Sequence, residues 1–185
     1  KIRPTAMLSV PLIIEKIYRS SIVPTISKSK FLSYLDKHAK GLLYTMVGMK
    51  LKKTFGGRIG FFGIGGAKLD PEVEVFLKKA RFPYAIGYGL TETAPLICSA
   101  APRRTWPGTT GRPVKGIEVK LEDVNPQTGE GEICVKGPNV MLGYYKDYER
   151  TESVLSQDGW FRTGDLASVD KKGRYSIKGR LGSVI

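Results

Sequence analysis

The 185-residue sequence predicts an α/β fold in which a portion of a parallel sheet is followed by a small antiparallel β-barrel. Between residues 58 and 88, an apolar run, a helical stretch and a second apolar run follow one another, which is the pattern of a β-α-β unit. After Pro102 the strands become short and are separated by glycines and turn residues, as in antiparallel barrels. We therefore expect four segments: a helical segment at 1–57, an α/β portion at 58–104, the barrel at 105–178 and the start of a hinge at 179–185.

The first quarter of the chain is predicted to be mostly helical. A helix at 9–22 would begin with Ser9 as its cap and Pro11 in its first turn, and the proline and serines of 23–30 indicate a loop. Residues 30–54 carry apolar side chains at near-helical spacing with lysines between them, which predicts a basic amphipathic helix or a pair of helices. Burial against the rest of the protein is one interpretation of this face, and contact with a membrane surface is the alternative.

The β-α-β unit and the barrel are predicted from short runs. Residues 59–64 and 84–88 lack polar alternation, as in strands that are buried on both faces. Between them, Asp70-Pro71-Glu72 opens a helix with acidic residues where the helix macrodipole favours them. In the second half of the chain we expect strands at 117–122, 130–137, 165–169 and 174–178, interrupted by a helix at 147–155.

The formal net charge of +13 leaves three interpretations open. A nucleic-acid-binding module would use lysines and arginines to neutralise phosphates, and a site for anionic small molecules or an acidic membrane would attract them in the same way. A piece cut from a longer, more neutral chain would carry such a charge without using it. The basic residues are dispersed and match no zinc-finger spacing or aromatic RNA-binding octamer, so charge alone does not decide.

The two cysteines, Cys98 and Cys134, lie in apolar surroundings and match no metal-ligand spacing. We expect both to pack as small buried hydrophobic residues. Such sparse use of cysteine is typical of a reducing compartment, so a cytoplasmic location is expected, with membrane association as a variant of it. No uninterrupted apolar stretch of about 18 residues occurs, so no bilayer-spanning helix is expected.

Glycine-rich turns follow both predicted parallel strands, at the edge of the sheet where ligands of open α/β folds bind. Gly63–Ala67 would let the backbone approach a flat ligand closely, because side chains are absent there. Gly87–Glu92 adds an aromatic ring, a hydroxyl that can bond a phosphate oxygen and a carboxylate that can hold Mg²⁺. Similar turns also occur as simple tight bends, so taken alone they leave both interpretations open.

The second of these turns carries a resemblance to a known family. Tyr88-Gly89-Leu90-Thr91-Glu92 resembles the tyrosine-glycine-x-threonine-glutamate motif of the adenylate-forming superfamily, which includes acyl-CoA synthetases, firefly luciferase and the adenylation domains of peptide synthetases. Four further segments resemble motifs of that superfamily in the same order: Gly111-Arg112-Pro113, Gly131–Gly137 followed by Gly143-Tyr144-Tyr145, Trp160–Leu166, and Gly179-Arg180-Leu181. Phe61–Ala67 is most similar to bacterial long-chain fatty acid–CoA ligases.

The resemblance implies a two-step ligase reaction with ATP, Mg²⁺ and coenzyme A. A fatty acid carboxylate would attack the α-phosphate of ATP to give an acyl-adenylate and pyrophosphate, and the thiol of coenzyme A would then displace AMP. Within the family, a ligase that delivers its adenylate to a carrier protein and a CoA ligase for aromatic acids remain alternatives. A basic, noncatalytic nucleic-acid-binding module is the alternative of another class, whereas the family resemblance implies no nucleic-acid partner.

The resemblance also implies roles for individual residues. Thr91 would bond the α-phosphate and Glu92 would bind Mg²⁺, which makes these two the expected catalytic residues. Asp165 would accept both ribose hydroxyls, because an ionised carboxylate is purely an acceptor. Arg180 would donate to the ribose or to a phosphate.

The remaining positions would surround the base and the acyl chain. Tyr88 and the segment 65–67 would form the adenine slot, Gly87 and Gly89 would border the acyl chain and the phosphate, and Ile177 would lie near the base. The full ATP/AMP set implied by the resemblance is Gly65, Gly66, Ala67, Gly87, Tyr88, Gly89, Leu90, Thr91, Asp165, Ile177 and Arg180.

Two parts of the family pattern are expected outside this sequence: a phosphate loop before Lys1 and a domain with a catalytic lysine after Ile185. We therefore expect an excised piece that by itself neither adenylates an acid nor forms a thioester. Gly182 stands at the hinge position, where the family usually has aspartate or lysine. Because glycine supports the large φ/ψ change that a hinge needs, we expect domain alternation to persist with a changed balance.

Overall fold

The computed structural model describes residues 2–182, so Lys1 and the last three residues of the predicted hinge segment lie outside the described part. The chain divides into two compact units. The first comprises the described residues of Lys1–Ile86 together with Ala101–Gly108, and the second comprises Gly87–Ala100 with the described residues of Thr109–Ile185. These units cut the chain differently from the four predicted segments.

The first unit begins with a strand that the sequence did not reveal. Strand β1 (Ala6–Ser9) is followed by helix α1 (Pro11–Ile17). Ser9 was predicted to cap this helix, but it is the last residue of β1, and Val10 occupies the cap position without a side-chain hydrogen bond. Pro11 lies in the first turn as predicted, where a missing N–H has no helical partner to lose.

The loop predicted at 23–30 was wrong, because helix α2 (Val23–Lys28) covers most of it. A π-helical turn, Tyr18–Ile22, joins α1 to α2, and Pro24 lies in the first turn of α2 where proline is tolerated. The serine and threonine hydroxyls that indicated a loop instead donate to helix carbonyls one turn earlier.

The predicted pair of basic helices is confirmed as α3 (Lys30–His38) and α4 (Lys40–Thr54). The break between them falls at Ala39, whose backbone is neither helical nor left-handed. Gly48 on α4 is buried, and a Cβ added at this position would lie 2.1 Å from the carbonyl oxygen of Ala80. The glycine thus lets α4 pack directly against backbone, which no larger residue could do.

A parallel β-α-β arrangement completes the first unit, as predicted. Strand β2 (Phe61–Ile64), helix α5 (Pro71–Lys79) and strand β3 (Tyr84–Tyr88) follow one another, and the strands are adjacent in the order β1-β2-β3. Asp70 caps α5, since its carboxylate accepts the backbone N–H groups of the two following non-proline residues. These two hydrogen bonds help to lower the pKa of Asp70.

One apolar cluster holds the first unit together. It consists of 16 buried side chains: Ile14, Ile22, Leu35, Leu43, Val47, Leu51, Ile59, Phe62, Ile64, Leu69, Val73, Phe76, Leu77, Ala80, Phe82 and Tyr84. Every helix from α1 to α5 except α2 contributes to it, so apolar burial is shared by most of the helices that pack on the sheet.

The second unit contains short antiparallel strands, as predicted. Strands β4 (Cys98–Ser99) and β5 (Arg112–Pro113) extend from the end of β3 by antiparallel pairing. A separate sheet in the order β6-β7-β8-β9 stands where the barrel was expected, with β6 and β9 at its edges. Its strands are β6 (Glu118–Glu122), β7 (Gly131–Lys136), β8 (Phe161–Val169) and β9 (Tyr175–Arg180), and helix α6 (Tyr148–Val154) precedes β8.

A smaller apolar cluster forms the core of the second unit, and it contains Ile97, Cys98, Ile133, Val135, Ala167 and Tyr175. Both cysteines are free and buried, as predicted, and burial raises the pKa of each thiol to about 12. Within residues 2–182, every helix is too short or too polar to cross a lipid bilayer.

Candidate active site

The Gly89–Thr93 segment forms a tight turn directly after β3. A Cβ on Gly89 would lie 1.6 Å from the carbonyl oxygen of Pro95, so only glycine fits there. Thr91–Thr93 is a single 3-10 turn, and the buried hydroxyl of Thr93 contacts the backbone N–H and carbonyl of Leu90 at 3.0 Å. The turn therefore has a fixed backbone, and the side chain of Thr91 is exposed on it.

Glu92 is held at its backbone and at its side chain. Its carbonyl accepts the backbone N–H of Met141 at 2.8 Å, and its Oε1 accepts the hydroxyl of Tyr144 at 3.0 Å. Within residues 2–182, its Oε2 accepts no hydrogen bond, and the side chain is only partly buried. One carboxylate oxygen thus stays open to a ligand.

Asp165 is positioned by a bulge in β8. The left-handed φ of Gly164, +73°, suits glycine, and the N–H of Gly164 donates to Oε1 of Glu132 at 2.9 Å. The hydroxyl of Thr163 donates to the carbonyl of Ile133 and accepts the N–H of Asp165. These bonds fix the backbone on both sides of Gly164, so Asp165 has a defined direction.

The buried Glu132 carboxylate is compensated by an arginine. Arg162 forms ion pairs with Glu132, with Glu122 and with Asp123. The hydrogen bond to Asp123 is the largest cause that raises the pKa of this arginine, and the three carboxylates all face one guanidinium. A buried carboxylate without such a partner would carry a large desolvation cost.

Both oxygens of Asp165 accept hydrogen bonds from protein donors. The hydroxyl of Tyr88 lies 2.8 Å from Oδ2, and Nε of Arg180 lies 2.9 Å from Oδ1. Asp165 and Arg180 face each other across β8 and β9, and Asp165 is buried. Burial raises the pKa of Tyr88 well above its ordinary value, so its hydroxyl keeps its proton and remains a donor.

The structure therefore brings three of the expected nucleotide residues, Tyr88, Asp165 and Arg180, into direct contact. Ile177 is partly buried against the apolar cluster of the second unit. The members of the set that lie in the second unit are Gly87, Tyr88, Gly89, Leu90, Thr91, Asp165, Ile177 and Arg180, whereas Gly65, Gly66 and Ala67 lie in the first.

The open carboxylate oxygen of Glu92 fits a Mg²⁺ ion that is shared with a nucleotide. Within residues 2–182, no group of three or more histidine, cysteine, aspartate or glutamate side chains could enclose a metal. Magnesium is commonly held by one or two carboxylates together with substrate phosphates, and a single glutamate beside an exposed threonine hydroxyl suits that arrangement.

Two supporting residues escaped the sequence reasoning, namely Tyr144 and Glu132. Both lie inside segments that were recognised as family-like, Gly131–Gly137 and Gly143-Tyr144-Tyr145, but no role was expected for them. The available signal was Glu132 itself, a glutamate directly before the apolar residues of a predicted strand. A buried carboxylate needs a specific partner.

Comparison with known proteins decides the family. Residues 1–145 match the model of the AMP-binding enzyme family, which is well over half of the chain. The chain belongs to the AMP-binding enzyme family. The match ends before Asp165 and Arg180.

Two relatives of this AMP-binding chain are similar over most of its length. A peroxisomal long-chain acyl-CoA synthetase 7 of Arabidopsis thaliana is 33% identical over 95% of the chain and 28% of the relative. A probable 4-coumarate–CoA ligase 1 of Dictyostelium discoideum is 30% identical over 94% of the chain and 34% of the relative. The chain thus spans about a third or less of the length of these relatives.

The fold also matches solved structures. A malonyl-CoA ligase in a ternary product complex with methylmalonyl-CoA and AMP superposes with a TM-score of 0.68 at 26% identity, over 95% of this chain and 34% of that one. The mixed α/β class with a second antiparallel sheet is therefore confirmed by comparison as well as by the strands themselves.

Proposed function

We propose that the protein to which this chain belongs is an ATP-dependent long-chain fatty acid–CoA ligase that forms an acyl-adenylate and then a thioester. The observation that carries the proposal is the contact of Tyr88, Asp165 and Arg180, with the Thr91–Glu92 turn three residues after Tyr88 in the same unit. A nucleoside triphosphate needs an acceptor for its ribose hydroxyls, which Asp165 would supply. It also needs a donor and a cation ligand for its phosphates, which Thr91 and Glu92 would supply.

In the proposed reaction, the residues of the second unit bind and orient ATP. The exposed hydroxyl of Thr91 donates to the α-phosphate, and the open Oε2 of Glu92 faces the cation. Mg²⁺, when bound, would neutralise charge that develops on the phosphates in the transition state. Asp165 accepts the ribose hydroxyls, and Arg180 donates to the ribose or to a phosphate.

In the first unit, we assign Gly65, Gly66 and Ala67 to the adenine slot. Gly66 has a φ of +88° and no atom within 4 Å of the Cβ position, which suits the close approach of a flat ring. The backbone of Gly87, Gly89 and Leu90 is assigned to the border of the acyl chain and the phosphate.

Gly182 is proposed as the hinge residue. Its φ is +83°, and within residues 2–182 no neighbouring atom would lie within 4 Å of a Cβ added there. An aspartate or lysine would therefore be strained here by its backbone rather than by its neighbours. The free cysteines support a reducing location such as the cytoplasm, although the plant relative is named peroxisomal.

The long-chain substrate is supported by the acyl-CoA synthetase relative, whereas the relative named a 4-coumarate–CoA ligase favours an aromatic acid as the second candidate. A panel of hexadecanoate, octanoate and 4-coumarate separates the two in the full-length enzyme. We expect ATP–pyrophosphate exchange and thioester formation to be greatest with hexadecanoate, by about tenfold or more, and Asp165→Ala to lose at least about tenfold in ATP affinity.

Each other result has a distinct meaning. Preference for 4-coumarate would replace the long-chain substrate by an aromatic one, and accumulation of acyl-adenylate without thioester would indicate a carrier-protein acceptor. Absence of exchange with every acid would overturn the proposed activity. The 185-residue chain alone is expected to show no exchange, and turnover by it would contradict the need for further domains.

A further inference from the structure

Residues 139–144 of the second unit form three hydrogen bonds with the Thr91–Thr93 turn and one with Leu96. The side-chain amide of Asn139 donates to the carbonyls of Thr93 at 2.7 Å and of Leu96 at 3.0 Å. The backbone N–H of Met141 reaches the carbonyl of Glu92, and the hydroxyl of Tyr144 reaches its carboxylate. Only the last of these bonds acts on a side chain, so it alone can aim the carboxylate without shaping the backbone.

Two residues of helix α6 contact Tyr144 and hold it in place. Its backbone N–H donates to the hydroxyl of Thr151 at 2.9 Å, and the guanidinium of Arg150 lies 4.2 Å from the centre of its ring. Asp147 caps the helix that carries both partners. The ring is therefore held by a cation–π contact and its backbone by a hydrogen bond, and the hydroxyl is left for Glu92.

The geometry points to Tyr144 as a positioning residue for the cation that Glu92 would bind. The hydroxyl donates to Oε1, so the carboxylate cannot rotate freely, and Oε2 is left as the oxygen for the cation. Partners that hold a metal-binding carboxylate in this way orient it before the metal arrives. This inference rests on the proposed function, because the cation role of Glu92 does.

The hydroxyl of Tyr144 lies 3.0 Å from Oε1 of Glu92, at the distance of a hydrogen bond that the hydroxyl donates. The direction of the hydrogen bond is then fixed, because an ionised carboxylate can only accept. A phenylalanine at this position would keep the ring for Arg150 and the backbone N–H for Thr151. It would remove the hydroxyl, which donates to Glu92 and also bonds with the Arg150 side chain.

Cation binding to the full-length enzyme with ATP separates the possible roles of this residue. The probe is Mn²⁺, whose free concentration is followed by electron paramagnetic resonance, alongside ATP affinity without a divalent cation. We expect Tyr144→Phe to weaken Mn²⁺ binding by about tenfold, with cation-free ATP affinity and melting temperature unchanged. The neighbouring Tyr145, which is 89% exposed, provides the matched control Tyr145→Phe, and this variant should behave as wild type.

Glu92→Gln distinguishes failure of the inference from failure of the proposed site. If Glu92→Gln weakens Mn²⁺ binding and Tyr144→Phe does not, the positioning role is overturned while the cation site stands. If neither variant changes Mn²⁺ binding, the cation role of Glu92 is overturned and the inference with it. If Tyr144→Phe lowers cation-free ATP affinity as much as Mn²⁺ affinity, the residue has a general structural role and the inference also fails.

Discussion

The two units of the chain have interiors of different chemistry. In the first, aromatic rings contact one another, with Phe62 lying 5.1 Å from Phe55 and 5.3 Å from Phe82 between ring centres. In the second, the apolar cluster is smaller, and four buried side chains are polar or charged: Thr93, Glu132, Thr163 and Asp165. The expected phosphate, metal and ribose residues all belong to this second unit.

This difference separates stability from geometry. Apolar burial depends on area and has no direction, so the first unit gains stability without fixing any one polar atom in place. Buried hydrogen bonds add little net stability, but they are costly to leave unmade and so specify positions. We conclude that damage to the first unit acts mainly on folding, whereas damage to the polar network of the second acts mainly on the ligand.

The largest expected effect tests the first unit with two substitutions on one helix. Gly48→Ala would drive a Cβ to within 2.1 Å of a backbone oxygen, whereas Gly41→Ala on the same helix meets no atom within 4 Å. We expect Gly48→Ala to lower the free energy of unfolding by about 3 kcal/mol and Gly41→Ala to raise it by about 0.5–1 kcal/mol. Urea unfolding of the two variants measures this difference.

The same pair also tests the separation of roles. ATP affinity of folded Gly48→Ala, measured well below its unfolding midpoint, is expected to match wild type. A large loss of ATP affinity in the folded variant would show that the first unit also sets the geometry of the site, and the contrast between the units would then be wrong.

An intermediate effect is expected from Glu132, which supports the bulge that carries Asp165. Glu132→Ala removes the acceptor of the Gly164 N–H, and losing a hydrogen bond to a charged group should weaken ATP binding about tenfold. The affinity for 2′,3′-dideoxy-ATP should fall less, since that sugar has no hydroxyls for Asp165. Glu130→Ala is the matched control, because Glu130 is a partly buried neighbour whose ion pair with Lys178 is long, at 3.6 Å.

Equal losses for ATP and for its dideoxy analogue would mean that Glu132 supports the unit as a whole. A loss confined to ATP would sharpen the contrast, because a buried charge would then have been shown to act on the direction of one carboxylate. Both affinities can be measured by calorimetric titration of the full-length enzyme.

The smallest effect concerns Glu74, the buried carboxylate among the described residues of the first unit. Burial raises the pKa of Glu74, and hydrogen bonds from Gly108 and Tyr84 oppose this only in part. A carboxyl whose folded pKa is raised contributes stability below its unfolded pKa and loses that contribution as pH rises through the folded pKa.

Glu74→Gln carries no charge to desolvate. Its amide oxygen can accept the Gly108 N–H, and its NH2 group can donate to the Tyr84 oxygen, which reverses that hydrogen bond. We therefore expect the variant to gain stability relative to wild type as the pH is raised from about 4 to about 7, as measured by thermal unfolding. A difference that is independent of pH would show that the hydrogen bonds of Glu74 fully compensate its charge in the folded state, and the expected pH dependence would be wrong.

Sequence patterns predicted the elements whose signals are local. The helix that Asp70-Pro71-Glu72 opens and the strand expected at 165–169 are each specified within a few residues, and both were found. The short strand β1 and the pair β4 and β5 were missed, because strands of two to four residues depend on their partners rather than on their own sequence.

The candidate site could be predicted only in part, for a related reason. Motif residues such as Thr91, Glu92 and Asp165 stand out in the sequence because they follow glycines in recognisable order. The hydrogen bonds that aim them join residues 52 positions apart for Tyr144 and Glu92, and 77 apart for Tyr88 and Asp165. No local pattern carries information across such separations, so the supporting residues emerge only when the chain is folded.

The two hydrogen bonds that Asp165 accepts from the protein determine how many more it can accept from a ligand. An ionised carboxylate offers about four acceptor positions. Tyr88 and Arg180 each occupy one position, one on either oxygen. About two positions remain, one for each of the 2′ and 3′ hydroxyls of a nucleotide. A sugar could thus add its bonds without displacing a protein donor, and no side-chain torsion would need to be frozen on arrival. A deoxyribose would leave one acceptor position of Asp165 without a hydrogen bond. We therefore expect deoxyribose nucleotides to bind more weakly than ribose nucleotides but not to be excluded.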